Sequence, residues 1–147
     1  MRFVLLSGLV VLLDQVVKAA VMQTAALGAA QPLIPGLLQL RLAHNTGAAF
    51  SLLSGRTPLL ILVGAVAVAG MAWYLKRASG ESLWLRVGLA VTSGGAVGNL
   101  IDRVRLGYVV DFLDLKGYPA IFNVADIAIV GGIGLVLLAL WREEARQ

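Results

Sequence analysis

Apolar positions in this chain gather into four long runs, Phe3–Met22, Pro58–Leu75, Leu83–Ile101 and Val124–Trp141. As helices rising about 1.5 Å per residue, each would extend ~27–30 Å, roughly one hydrocarbon core. The pattern predicts four transmembrane helices. Arg2 followed by an apolar stretch also has the outline of a cleaved leader. Asp14 and Lys18, however, interrupt it where a leader's apolar region is uniform. The first run is therefore expected to stay as a span.

An even number of spans puts both termini on one side. Arg2, Lys76, Arg77, Arg86, Arg142 and Arg146 share that side, which the positive-inside tendency assigns to the cytoplasm. Arg41, Arg56, Arg103, Arg105 and Lys116 lie opposite, so the bias is mild. The connection Lys76–Ser82 is short, whereas Gln23–Thr57 and Asp102–Asn123 are long and face outward. In these outer segments Leu38-Gln39-Leu40-Arg41-Leu42 alternates with the period of a half-buried strand. Tyr108-Val109-Val110 and Ala120-Ile121-Phe122 are short β-prone runs bounded by Gly107, Gly117 and Pro119. The expected class is an all-α membrane protein, with a few extracytoplasmic strands resting on a four-helix bundle. Lacking internal repeats and linkers, residues 1–147 form a single domain.

Composition narrows the chemistry. With 59% hydrophobic and 14% charged residues in 147, and a mean hydropathy of +0.88, the chain carries more apolar side chain than a small soluble domain can bury. A soluble globular enzyme is excluded on that ground. Twelve basic against eight acidic residues give a formal charge of +4. They are scattered, unlike a nucleic-acid-binding stripe. There is no Cys, which removes disulfides, thiolate metal sites and a cysteine nucleophile. The single His, His44, rules out a two-histidine zinc helix.

The remaining polar residues form a few groups. Asp14 and Lys18 share a helix face, either as an ion pair that lets both survive in the membrane or as support for a nearby site. His44-Asn45-Thr46-Gly47-Ala48-Ala49-Phe50-Ser51 reads as a turn, or as a place of close backbone approach to a ligand, with His44 a surface residue rather than a base. Gly94 and Gly98 form a small-xxx-small pair suited to tight helix packing and not to a phosphate loop, since no strand precedes them. Asn99, Asp102 and Arg103 put an amide, an acid and a cation on one face at the helix mouth, as a structural polar knot or a peptide-binding face. Asp111 and Asp126 are each set among apolar neighbours, where a lone ionised carboxylate is strongly disfavoured. Two carboxylates sharing one proton resolve that cost and can both activate water and protonate a leaving group. For Asp126 a helix N-cap is the competing role, although Asn123 fills it as well.

Taken in order, several blocks resemble lipoprotein signal peptidase, the bacterial membrane aspartyl protease family also called signal peptidase II. They are Asp14 with Lys18, Asn45 through Phe50, Gly94 through Arg103, Val109-Val110-Asp111-Phe112 and Phe122-Asn123-Val124-Ala125-Asp126. Each block is weak alone; together they span nearly the whole chain. The resemblance implies a four-helix bundle with an extracytoplasmic β-cradle and a short outer helix, in the bacterial cytoplasmic (inner) membrane. It implies removal of signal peptides from prolipoproteins, just before a lipobox Cys carrying a diacylglyceryl group. Asp111 and Asp126 match the family's catalytic pair. Asn45, Asn99 and Arg103 match polar residues of the substrate cleft, with Gly47 in the same motif as Asn45. Asp14, Lys18, Asp102 and Asn123 match site support. No metal or cofactor is implied, and the partners are prolipoprotein signal peptides and membrane lipids, acting on a monomer. The compact Asp111-to-Asp126 connection is expected to contribute only a short outer flap.

Two rivals follow from the same residues. A four-span transporter would use Asp14 as a proton-coupling site, but would place its acids near the midplane and manage with simple loops. A Ser–Lys peptidase would use Ser51 and Lys18, and loss of activity in Ser51→Ala would mark it.

Overall fold

The computed structural model describes residues 2–47, 55–77 and 80–145. Four long helices, α1 (Arg2–Thr24), α2 (Thr57–Arg77), α3 (Leu83–Leu106) and α4 (Val124–Glu144), carry a small sheet. Its strands are β1 (Ala30–Ile34), β2 (Leu38–Asn45), β3 (Val109–Leu115) and β4 (Ile121–Phe122). The expected runs all fall inside helices, each extended by a few residues. Three of them, α1, α2 and α4, are long and apolar enough to cross a membrane. The third expected run is less apolar and does not qualify, because Arg86, Asn99 and the glycines Gly88, Gly94, Gly95 and Gly98 dilute its hydropathy within Leu83–Ile101 itself. The short outer helix implied by the resemblance has no counterpart between α1 and α2 among the described residues. Ala48, Ala49, Phe50 and Ser51 lie outside those residues.

Helix α3 is the hub, packing on α1, α2 and α4. It runs parallel to α1 in a near-constant register. The Ser7 hydroxyl donates to the Ala90 carbonyl at 2.7 Å, and Gln15 Nε2 donates to the Gly98 carbonyl at 3.3 Å. Glycines set how closely the backbones approach. A Cβ on Gly94 would lie 2.8 Å from the Ser7 carbonyl of α1, and one on Gly88 would lie 2.7 Å from the Gly132 carbonyl of α4. Gly98 faces the Asp14 carboxylate, which a Cβ would approach to 2.5 Å. Gly98→Ala is therefore expected to cost about 1–3 kcal/mol by overpacking. A denaturant or thermal series in detergent measures it, and an unchanged midpoint would contradict the close approach. The outward surface is apolar, with Val4 76% and Val130 71% exposed, as lipid-facing helices require.

The sheet is antiparallel in the order β1-β2-β3-β4. It rests on the end of α1, where Val21 and Ala25 pack with Leu42, Val110 and Phe112. Gly107 ends α3 in the left-handed region at φ 83°, its N–H returning to the Arg103 carbonyl, and turns the chain straight into β3. A register break between Leu40 and Ala43 opposes β3, after which Ala43 pairs with Asp111 and Asn45 with Val109. Such a bulge increases local twist. Strand β1 is not among the strands expected from the sequence, and all five of its residues are exposed.

Candidate active site

Asp111 and Asp126 come from different elements. Asp111 stands on β3, buried to 2% exposure, and Asp126 occupies the first turn of α4. They line one cavity of about 240 Å³ together with Asn45, Asn99, Arg103 and apolar residues including Ile129 and Val130. Among the described residues each carboxylate is held by amides and not by a cation in direct contact. Asn45 Nδ2 donates to Asp111 Oδ2 at 2.9 Å, and Asn123 Nδ2 donates to Asp111 Oδ1 at 2.7 Å. Asn99 Nδ2 donates to Asp126 Oδ1 at 2.8 Å, while the Asn123 backbone N–H donates to Asp126 Oδ2 at 3.2 Å.

The orientation of each amide is set by what its oxygen must accept. Asn123 is the N-cap of α4, and its Oδ1 takes the Asp126 backbone N–H at 2.9 Å. That turns Nδ2 toward Asp111. The N-cap role therefore falls to Asn123 and not to Asp126, which answers it from the third helical position in a capping box and still lines the cavity. Asn99 Oδ1 accepts from Lys18 Nζ at 3.0 Å and from Asn123 Nδ2 at 3.1 Å, which turns its Nδ2 toward Asp126. Asn45 Oδ1 accepts the Gly47 N–H at 2.9 Å, and the Gly47 carbonyl in turn accepts from Arg103 Nη2 at 2.9 Å. Asn45–Gly47 is thus a turn, with Asn45 at the edge of the cavity.

Lys18 spends all three ammonium protons. Besides Asn99, it meets Asp14 Oδ2 at 2.9 Å and Asp102 Oδ2 at 2.7 Å, with all three ionic residues buried. The carboxylates do further work. Asp14 Oδ1 accepts the Ala125 N–H at 3.0 Å, satisfying a donor in the first turn of α4, and Asp102 Oδ2 accepts the Val110 N–H at 3.1 Å, fixing the start of β3. Sequence reading missed Gln15, whose Nε2 bridges Asp14 Oδ2 at 3.2 Å and Asp102 Oδ1 at 2.9 Å. Its signal was available: a second polar residue beside Asp14 in an apolar run. His44 is exposed and stacks on Tyr108 with ring centroids 3.9 Å apart, away from any basic role.

Burial pushes the Asp111 carboxyl up to about 6. The Asn45 hydrogen bond opposes that rise, the nearby Asp126 charge adds to it, and the Asn123 bond opposes it again. An acid whose titration is raised toward neutral pH, beside a second carboxylate, can supply general acid and general base from one cavity.

Comparison with known proteins places this geometry in context. The sequence model of the family described as "Signal peptidase (SPase) II" matches residues 6–142. A lipoprotein signal peptidase of Syntrophotalea carbinolica is 42% identical, covering 97% of this chain and 92% of that protein. One of Symbiobacterium thermophilum is 43% identical, covering 95% and 94%. A bacterial membrane enzyme solved by the in meso method at 2.3 Å resolution superposes with a TM-score of 0.92 at 30% identity, covering 99% of this chain and 91% of that one.

Proposed function

The chain belongs to the signal peptidase II family, and we propose that Asp111 and Asp126 are the acid pair with which it cleaves its substrates. It is an aspartyl endopeptidase that removes signal peptides from prolipoproteins. The observation that carries the assignment of the pair is their convergence, from β3 and α4, on one cavity with a donor amide on each carboxylate. The substrate carries a diacylglyceryl group on the Cys that follows the scissile bond. Its lipid chains and the apolar signal helix stay in the bilayer and hold the bond at the depth of the cavity. An apolar hollow of about 420 Å³ beside Asp126, lined by Leu115, Phe122, Ile127 and Val130, supports approach from the lipid side.

In the reaction, the ionised member of the pair takes a proton from water as the oxygen attacks the carbonyl carbon. The protonated member donates to the carbonyl oxygen, giving a tetrahedral diol. The pair then returns a proton to the departing amine as the C–N bond breaks. The two titrate as a unit. Arg103 holds the Gly47 carbonyl, and with it the Asn45 turn, at the mouth of the cleft.

All four helices cross the membrane, α3 as the enclosed fourth span. Its place between α1, α2 and α4 supports this, since its polar residues Asn99 and Asp102 turn to protein and need no lipid-compatible composition. Both termini are cytoplasmic, the sheet and the acid pair lie at the outer face of the bacterial inner membrane, and residues 1–147 act as one monomeric domain. The deciding assay sets a diacylglyceryl-modified prolipoprotein beside the same precursor without the lipid, in micelles, read by gel mobility. Cleavage of the modified form alone is expected; equal cleavage of both would remove the lipid requirement.

The rate is expected to be bell-shaped in pH. Below the lower limb both acids hold protons and none accepts from water; above the upper limb the last proton is gone and none is donated. With Asp111 raised to about 6, the working state persists toward neutral pH. Asn45→Ala removes a bond that favours ionised Asp111, so its alkaline limb should move to higher pH. A profile flat across both limbs would contradict the shared proton.

A further inference from the structure

At the end of the bundle opposite the sheet, a hollow of about 630 Å³ opens between the starts of α1 and α3. It is lined by Arg2, Phe3, Leu6, Leu83, Arg86 and Val87. We infer that this hollow binds an anionic phospholipid of that leaflet, with the headgroup phosphate at the two arginines and the head of an acyl chain on the apolar wall. The inference rests on the reading that these helices cross the bilayer.

Three observations converge on it. First, neither arginine has a carboxylate within ion-pairing distance among the described residues, where Lys18 and Arg41 do. The Arg86 guanidinium lies over the Phe3 ring, 4.3 Å from its centroid, and its Nε has no hydrogen-bond acceptor. The ring fixes the guanidinium without neutralising it. Second, α1 and α3 are parallel and start side by side, so the positive ends of two helix dipoles meet at the same place as two cations. Like charges gathered at a low-dielectric boundary favour a bound anion. Third, the other four lining residues, Phe3, Leu6, Leu83 and Val87, are apolar, and Leu83 is 66% exposed. A small free anion would gain nothing from that wall, whereas a phospholipid matches cation and wall together. Basic pockets between membrane helices are a recognised form of headgroup site.

The test uses the full chain in detergent micelles containing equal amounts of phosphatidylglycerol and phosphatidylcholine, with retained lipid read by native mass spectrometry. The wild-type chain should retain phosphatidylglycerol over phosphatidylcholine by roughly tenfold, because two cations meet a headgroup of net negative charge in the first and one whose choline cancels its phosphate in the second. The doubly substituted Arg2→Gln, Arg86→Gln chain should lose that preference. Lys76→Gln with Arg77→Gln, which removes the same charge from the same end, should keep it. Millimolar inorganic phosphate should leave the lipid bound. No preference in the wild type would overturn the site, and that comparison needs no variant to fold. Equal loss in both double variants would reduce it to general charge attraction, and displacement by phosphate would make it a free-anion site; either result also overturns the proposal.

Discussion

Replacing either Asp111 or Asp126 by Asn is expected to lower prolipoprotein cleavage by at least about 10²–10⁴-fold, the range typical of a lost general acid or base. The substitution nearly preserves volume, so the loss isolates chemistry from packing. It also creates a local conflict. Both Asp111 oxygens accept an amide, from Asn45 and from Asn123, so an amide in its place must turn its own NH₂ toward one of those donors. Asp126→Asn meets the same problem between Asn99 and the Asn123 N–H. A modest stability change is therefore expected with each, and activity must be compared at matched folded fractions. Cleavage surviving at near wild-type rate in either variant would remove that residue from the chemistry. Ser51→Ala should cleave normally, and its failure would reopen the Ser–Lys mechanism.

Lys18→Met is expected to produce the largest loss of stability, about 3–5 kcal/mol, because it strands buried carboxylates without their cation. Asp14 is 0% and Asp102 3% exposed, and both face the same ammonium. The damage should extend to the acid pair. Without Lys18, Asn99 Oδ1 keeps only the Asn123 amide, and the constraint that aims Asn99 Nδ2 at Asp126 weakens. Equilibrium unfolding in mixed micelles measures the first effect. A variant as stable as wild type would mean that the carboxylates are neutralised in some other way.

Much of this arrangement was legible in the order of residues, for identifiable reasons. Long apolar runs have one economical solution in a bilayer, so the four helices emerge with only their ends misplaced. The acids stood out because an ionised group among Val, Phe and Ile needs a partner. The alternation in Leu38–Leu42 foretold β2, and Tyr108–Val110 located β3 but not its length, since Asp111 and Asp114 break the alternation that marks a strand. Strand β1 left no such trace. Its residues are exposed, and Pro32 lies within it, so its pairing comes from the hairpin and not from a buried face. Amide direction was equally hidden: nothing local to Asn99 says that a lysine 81 positions earlier fixes its rotamer. Gln15 is inconspicuous in the sequence because it is neutral beside the charged Asp14 and Lys18, although it bridges Asp14 and Asp102.

Helix α2 stands apart from all of this. It buries none of its described residues and packs mainly on α3, tied at its start by the Thr57 hydroxyl to the Gly107 carbonyl at 3.0 Å. The amide and ion-pair network is carried by α1, α3, α4 and the sheet, with no contribution from α2. Gly88, Gly94, Gly95 and Gly132 lock those three helices backbone against backbone. The polar contacts that hold the site are thus gathered in one part of the protein, and α2 lies at its side on apolar packing. Because no described hydrogen bond or ion pair of that network falls on α2, a shift of α2 breaks none of them directly, and its influence on the acid pair passes only through its packing on α3.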